Sequence, residues 1–280
     1  MVNVIPTKII KESYDKVRVA MYLIGFSSRV SNFIDAADVN GNIKHNSLSL
    51  QYLNQIDNAC RKAGITTGAV YPVIGGNADS HSFNFLNPQN TNSANRLVYS
   101  SGIINHTING IEWVRNVSNP AYANTFFKST QFAITGKATM IYYSNTQSNI
   151  QSVEMGWYDG GSTAINMLTP GNVARVLFGQ STVDVQYPNT NTKGCVLGTF
   201  DSGLSSFYLR GELVGSSNGR ILNITNNLDF WIGARNGDSQ VYPSDKTCSF
   251  AAILQQSLTI SQAKVFSHDI TVAQRSIGRG

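Results

Sequence analysis

The sequence predicts a mainly β fold built from antiparallel strands, a two-sheet sandwich or a barrel. Three observations carry this. From Gly68 onward, short apolar runs recur between turn clusters at intervals of about ten residues. Only 13% of the chain is charged, while it holds 24 glycines and 10% aromatic residues, a mix suited to many short strands joined by polar turns. No strand–helix–strand alternation is present, which argues against a parallel α/β fold.

The elements follow in order. In "KVRVAMYL" (16–23), Val17, Val19, Met21 and Leu23 share one strand face and Arg18, Ala20 and Tyr22 the other. This segment stands apart from the main body and suits pairing with another chain. Residues 44–63 read as a helix: Leu53, Ile56, Cys60 and Ala63 recur on one face, Arg61 and Lys62 suit its negative end, and Gly64 suits its exit. The strand runs are "RLVYS", "ATMIYYS", "SVEMGWY", "ARVLFG", "GCVLGTF", "SFYLRGELVG", "LDFWIGARN" and "CSFAAIL". In the sixth, Gly211-Glu212 turns the chain, and Asn218-Gly219 forms a further tight turn. Residues 228–234 form another strand, with Trp231 and Gly233 on one face. Ser261 is expected to cap a final helix with Phe266, Ile270, Ala273 and Ile277 on its packed side.

The formal net charge of +5 raises nucleic acid as a partner. The charge is thinly spread, however. The first thirty residues carry five basic side chains against two acidic ones, and no Lys/Arg run or basic-aromatic module follows. Nucleic-acid binding is therefore not expected. Cys60, Cys195 and Cys248 lack zinc-ligand spacing and read as reduced, buried thiols of a protein made in a reducing cytoplasm. The N-terminus lacks the features of a signal peptide, and no stretch approaches the roughly 20 apolar residues of a membrane span.

Catalytic patterns are scarce. The chain has four glutamates, Glu12, Glu112, Glu154 and Glu212, and a retaining glycosidase needs two carboxyl groups about 5 Å apart. "EMGWYD" comes nearest, but Glu154 and Asp159 lie five apart and point to opposite strand faces. His45, His81, His106 and His268 are scattered, and His81 and His106 are expected in solvated turns. No nucleophile elbow or phosphate-binding loop occurs. Calcium is the one metal the loops suggest, through Asp159, Asn236 and Asp238, although such residues form turns first. Trp113, Tyr122, Tyr158 with Asp159, and Tyr242 combine aromatic rings with nearby polar groups, as a glycan site would. Trp157 and Trp231 fall in apolar strands and are expected in the core.

"FYLRGELVG", "LDFWIGARNGD" and "FAAILQQSLTISQA" resemble the closing strands of concanavalin A-like (laminin-G-like) jelly-roll sandwiches, with Arg210 where that family commonly has Asn. A broader resemblance spans about residues 33–279: "FIDAA", "AVYPVIGGNADSHSFNFLNP", "YANTFF", "VEMGWYDG", "WIGARN", "FAAILQQSLT" and "QRSIGR" occur in this order. That order is similar to virion appendage proteins, of head-fibre or tail-fibre type, from crAss-like and other Bacteroides-infecting tailed phages. The resemblance implies a non-enzymatic protein of the virion surface, with an N-terminal anchor (1–30), a helical neck (31–68) and a concanavalin A-like sandwich with a C-terminal helix (69–280). Lys8, Lys11, Lys16, Val17, Arg18, Val19, Met21 and Leu23 would dock on capsid or tail, in a homotrimer or homodimer, and the head would meet host-surface or mucin glycans. No cofactor or membrane insertion is expected. The alternative is a capsule-degrading glycosidase of the virion.

Overall fold

Sixteen strands among the described residues form two sheets of eight. The structure, a computed structural model, describes residues 25–158, 162–169, 172–179, 185–219, 227–237 and 242–280. The anchor residues Lys8, Lys11, Lys16, Val17, Arg18, Val19, Met21 and Leu23 lie outside the described residues, as do Asp159 and Asp238.

The first sheet runs β13 (Glu212–Ser217), β12 (Leu204–Leu209), β11 (Gly194–Asp201), β6 (Lys137–Ser144), β16 (Cys248–Leu254), β4 (Gly110–Trp113) and β3 (Ile104–Thr107), with β1 (Ala69–Tyr71) also on β16. The second runs β10 (Val185–Pro188), β9 (Val173–Leu177), β8 (Ser162–Thr169), β7 (Met155–Tyr158), β14 (Asp229–Ile232), β5 (Ala123–Lys128) and β2 (Val98–Tyr99), with β15 (Arg235–Asn236) on β7. The pairings are antiparallel apart from β15, which returns parallel to β7. This is the mainly β, two-sheet sandwich that the strand pattern predicts.

The two sheets differ in what covers them. In the first, β16 is buried at every position and β6 at all but its first. Met140, Tyr142, Ala251 and Ile253 face the opposing sheet, whereas Ile141, Tyr143, Ala252 and Leu254 face a layer of helices. A strand covered on both sides can be apolar throughout, which is why "ATMIYYS" and "CSFAAIL" show little alternation. In the second sheet, β5 alternates: Ala123, Thr125 and Phe127 are buried, and Asn124, Phe126 and Lys128 are only partly so. Its outer face is the less covered one. Between the sheets, the ring of Phe132, from α4 (Ser129–Thr135), stacks on Trp157, whose other neighbour Phe230 meets it edge-on; both centroid distances are 5.2 Å. Full burial of each such ring stabilises the fold by roughly 1.5–3 kcal/mol.

The helical layer comprises α1 (Ser28–Ala37), α2 (Ser47–Lys62) and α5 (Ile260–Ser276). For α2, Asn46 accepts from the N–H groups of Leu48 and Ser49, an N-cap of the usual kind. The start of α1 is set by Ser27, which accepts from Val30 N–H, and its packed face is Val30, Phe33, Ile34 and Ala37. The sequence reading missed this helix. The expected Ser261 cap is replaced by Thr259, which exchanges hydrogen bonds with Gln262 in a capping box. All three helices share one core with the first sheet. The segment expected as a neck is thus packed against the sandwich. The boundary at residue 30 also cuts a folded element, because Val30 is fully buried and Arg29 pairs with Asp57 at 3.2 Å.

His81 and His106 are not in solvated turns. His81 lies fully buried in α3 (Ala78–Ser82) and His106 partly buried in β3.

Candidate functional site: the outer face of the second sheet

Strand alternation decides what this face presents. In β14, Phe230 and Ile232 point inward, so Asp229 and Trp231 point outward; in β7, Met155 and Trp157 point inward, leaving Gly156 and Tyr158 outward. Register aligns these rows, since Trp231 lies opposite Asn124 on one side and Gly156 on the other.

Trp231 is stacked on Tyr122, with ring centroids 3.7 Å apart and planes 8° from parallel. Beside them, Asp229 accepts from the Asn124 amide at 2.9 Å and pairs with the Lys128 ammonium at 2.6 Å. Arg235, also opposite Gly156, places its guanidinium 4.8 Å from the centroid of Tyr158 and 5.0 Å from that of Tyr242. Such cation–π contacts add roughly 0.5–1 kcal/mol each at exposed sites. Tyr242 is 42% exposed. Gly156 has positive φ, and a Cβ there would stand 2.4 Å from the Thr163 carbonyl oxygen. The strand crossing beneath the aromatic groups therefore requires glycine.

The face is braced from within by a buried ion pair. Glu154 and Lys246 are both 0% exposed and 3.3 Å apart. The Lys246 ammonium also donates to the Ile150 carbonyl at 2.6 Å and the Ser152 hydroxyl at 2.7 Å, and it touches Asp245 at 3.2 Å. Glu154 accepts from Ser152 at 2.6 Å and from the Met167 N–H at 2.5 Å. Its main-chain carbonyl accepts from Gly233 N–H, Gly233 accepts from Ser244 N–H, and the Tyr242 carbonyl accepts from Val153 N–H. These links tie the Trp231–Arg235 turn to the segment carrying Tyr242. Burial raises the Glu154 carboxyl above its ordinary range, with Lys246, Ser152 and the Met167 N–H opposing the shift. A carboxylate sealed and saturated in this way holds loops together and does not meet a substrate.

Of the glycan residues expected from sequence, Tyr122, Tyr158 and Tyr242 lie on this outer side. Trp113 does not. It is 3% exposed, donates through Nε1 to the Tyr142 hydroxyl at 3.2 Å and packs under Gly233. Its polar neighbour Glu112 misled the reading, because adjacent residues of a strand point to opposite faces. Trp231, expected in the core beside Gly233, is instead outside, and Arg235 was not anticipated at all. The signal for Trp231 was Asp229, two residues earlier and so on the same face. Among the suggested calcium ligands, Asn236 uses its amide to donate to the Asp229 carbonyl at 2.9 Å. Among the described residues there is no group of three His, Cys, Asp or Glu side chains able to hold a metal. No described helix is long and apolar enough to cross a membrane.

Arg210, at the usual Asn position of the resembled family, has φ of 53° at the β12–β13 turn. Its guanidinium holds the turn by donating to the carbonyls of Lys193 and Asn191 and to the side-chain oxygen of Asn189.

No family model matches the chain, and no curated protein does. Among solved structures, the chain is similar to a Trypanosoma rangeli sialidase in complex with a difluoro-nononic acid derivative, with a TM-score of 0.50 and 14% identity over 85% of this chain and 40% of that one. A second T. rangeli sialidase structure gives a TM-score of 0.49 at 14% identity, over 82% of this chain and 40% of that one. The binding domain of Botulinum neurotoxin DC, in complex with rat synaptotagmin II, gives 0.46 at 10% identity, over 66% of this chain and 50% of that one. The chain thus spans about 40% of the length of the sialidases it resembles. At 14% identity, the likeness to the first sialidase concerns the fold alone.

Proposed function

We propose that this chain is a non-enzymatic appendage protein of a tailed-phage virion, and that the outer face of its second sheet contacts glycans. The observation that carries the binding half is the clustering of Tyr122, Trp231, Tyr158, Arg235 and Tyr242 on the outer face of the second sheet, away from the described helices α1, α2 and α5 that pack on the first sheet. Aromatic rings beside amide, carboxylate and guanidinium groups offer a sugar both a stacking surface and hydrogen-bond partners. The virion half rests on the ordered motifs of residues 33–279, with the segment ahead of α1 as the docking element. Millimolar affinity for one sugar corresponds to only about −4 kcal/mol. Copies joined in a symmetric oligomer raise avidity by roughly 10²–10⁴, which makes a shallow face adequate for adhesion.

A glycan array probed with the purified oligomer tests the binding half, and localisation of the chain in intact particles by electron microscopy tests the virion half. Bound glycans and density on head or tail are expected. The capsule-degrading alternative requires loss of polysaccharide viscosity on incubation, and it has lost its nominated carboxylate, since Glu154 is sealed inside the ion-pair network.

A further inference from the structure

His81 and His106 meet away from the aromatic face, where the α3 segment touches β3, which among the described residues lies at one end of the first sheet. Their Nδ1 atoms are 3.1 Å apart. At that distance two ring nitrogens share one proton, one donating and the other accepting. The Gly76 N–H donates to His81 Nε2 at 3.2 Å, so that nitrogen carries no proton. Neutral His81 therefore holds its proton on Nδ1 and donates it to His106, which keeps its own proton on Nε2. One further proton has two places to go, and each breaks a contact. On His106 Nδ1 it would face the His81 N–H, and on His81 Nε2 it would face the Gly76 N–H. The same tautomers leave no lone pair on His81 Nδ1 for a metal ion between the rings.

The surroundings oppose a positive charge. Tyr99, from β2, meets the His106 ring edge-on at 4.5 Å, and its buried hydroxyl has no hydrogen-bond partner among the described residues. Cys248 and Tyr71, behind Tyr99, are buried groups held neutral. Arg279, beyond α5, is buried and adds a cation near His81. Asp79 in α3 is already paired with Arg96 at 2.9 Å, and Glu112 in β4 accepts from Thr107 at 3.3 Å. Burial lowers both imidazoles, and His106 and Arg279 lower His81 further.

We propose that His81 and His106 form an acid-sensitive latch: when both are neutral they lock the 75–82 segment to the β3–β4 hairpin, and on protonation they release it while the sandwich stays folded. Among the described residues this hairpin lies at one end of the first sheet, flanked by Ile103 (64% exposed) and Ile108 (79% exposed). The sign follows from linkage. Released histidines bind protons near pH 6.5 and latched ones only lower, so the latch is fully stable above about pH 6.5 and weakens as pH falls.

Hydrogen exchange of the full chain between pH 7.5 and 5.5, corrected for intrinsic rates, tests this. Peptides covering 75–82 should lose protection below pH 6.5 by up to about tenfold per pH unit for each proton taken up, while β3, paired with β4, and the central strands β6 and β16 keep theirs. In His106→Asn the share of the extra pH slope that His106 contributes should be lost, leaving only that of buried His81. An unchanged slope in this variant, or no slope in the wild type, overturns the proposal. Should His106→Asn fail to fold, nitrogen NMR of the wild-type rings decides instead. The expected result is the Nδ1–H form of His81, the Nε2–H form of His106 and titration of both below 6.5. Reversed tautomers or titration at or above 6.5 overturn it.

Discussion

Tyr122 and Trp231 lie face to face on the outer side of the second sheet, 3.7 Å apart at their ring centroids. Trp113, by contrast, is closed inside the sandwich. The two tryptophans should therefore separate binding from stability. Trp231→Ala loses a stacked pair worth about 0.5–1.5 kcal/mol beyond its burial, whereas Trp113→Ala should cost roughly 3–5 kcal/mol. Denaturant midpoints measure both. Equal losses would mean that Trp231 is a core residue after all.

Removing one member of the Glu154–Lys246 pair strands a buried charge. Either Glu154→Ala or Lys246→Met should destabilise the protein by about 3–5 kcal/mol, and the double variant Glu154→Met with Lys246→Met should recover much of that loss. Chemical denaturation of the three variants provides the comparison. Mild single variants would show that the pair does not brace the face.

Cys60, Cys195 and Cys248 are fully buried, and burial pushes each thiol up to about 12. The thiolate is the reactive form. An aromatic disulfide reagent at pH 8 should therefore label essentially no thiol in the native protein and three after denaturation. Rapid native labelling of any one would contradict the packing around it.

Truncations of residues 1–24 and of 1–30 differ in contacts that the described residues make. Deletion of 1–30 also removes the Ser27 cap, the Arg29–Asp57 pair and the buried Val30. The cap contributes about 1 kcal/mol and Val30 roughly 1.5–3 kcal/mol, so the longer deletion should melt clearly lower. Thermal unfolding followed by circular dichroism distinguishes the two. On the proposed function, the shorter deletion also abolishes incorporation into particles.

The sandwich was legible in the sequence because its strands are short, apolar and evenly punctuated. The helix at Ser47–Lys62 was legible because its cap, apolar stripe and exit glycine agree. The helix at Ser28–Ala37 carried an equally regular stripe, but it is only ten residues long and follows directly on "GFSS", which reads as a turn. Site residues were harder. In "DFWI" every residue after Asp229 is apolar, so the inward phase is ambiguous until a partner strand fixes it. Arg235 gains its setting from Tyr158 and Tyr242, 77 positions earlier and seven later, a proximity that only the folded sheet creates.

The most direct test compares the wild-type protein with a Tyr122→Ala, Trp231→Ala double variant on one glycan array, after circular dichroism confirms that both are folded. The wild type should retain a defined set of glycans, and the double variant should lose them by at least an order of magnitude in apparent affinity. Equal retention by the two proteins, or none by the wild type, would contradict the assignment of this face.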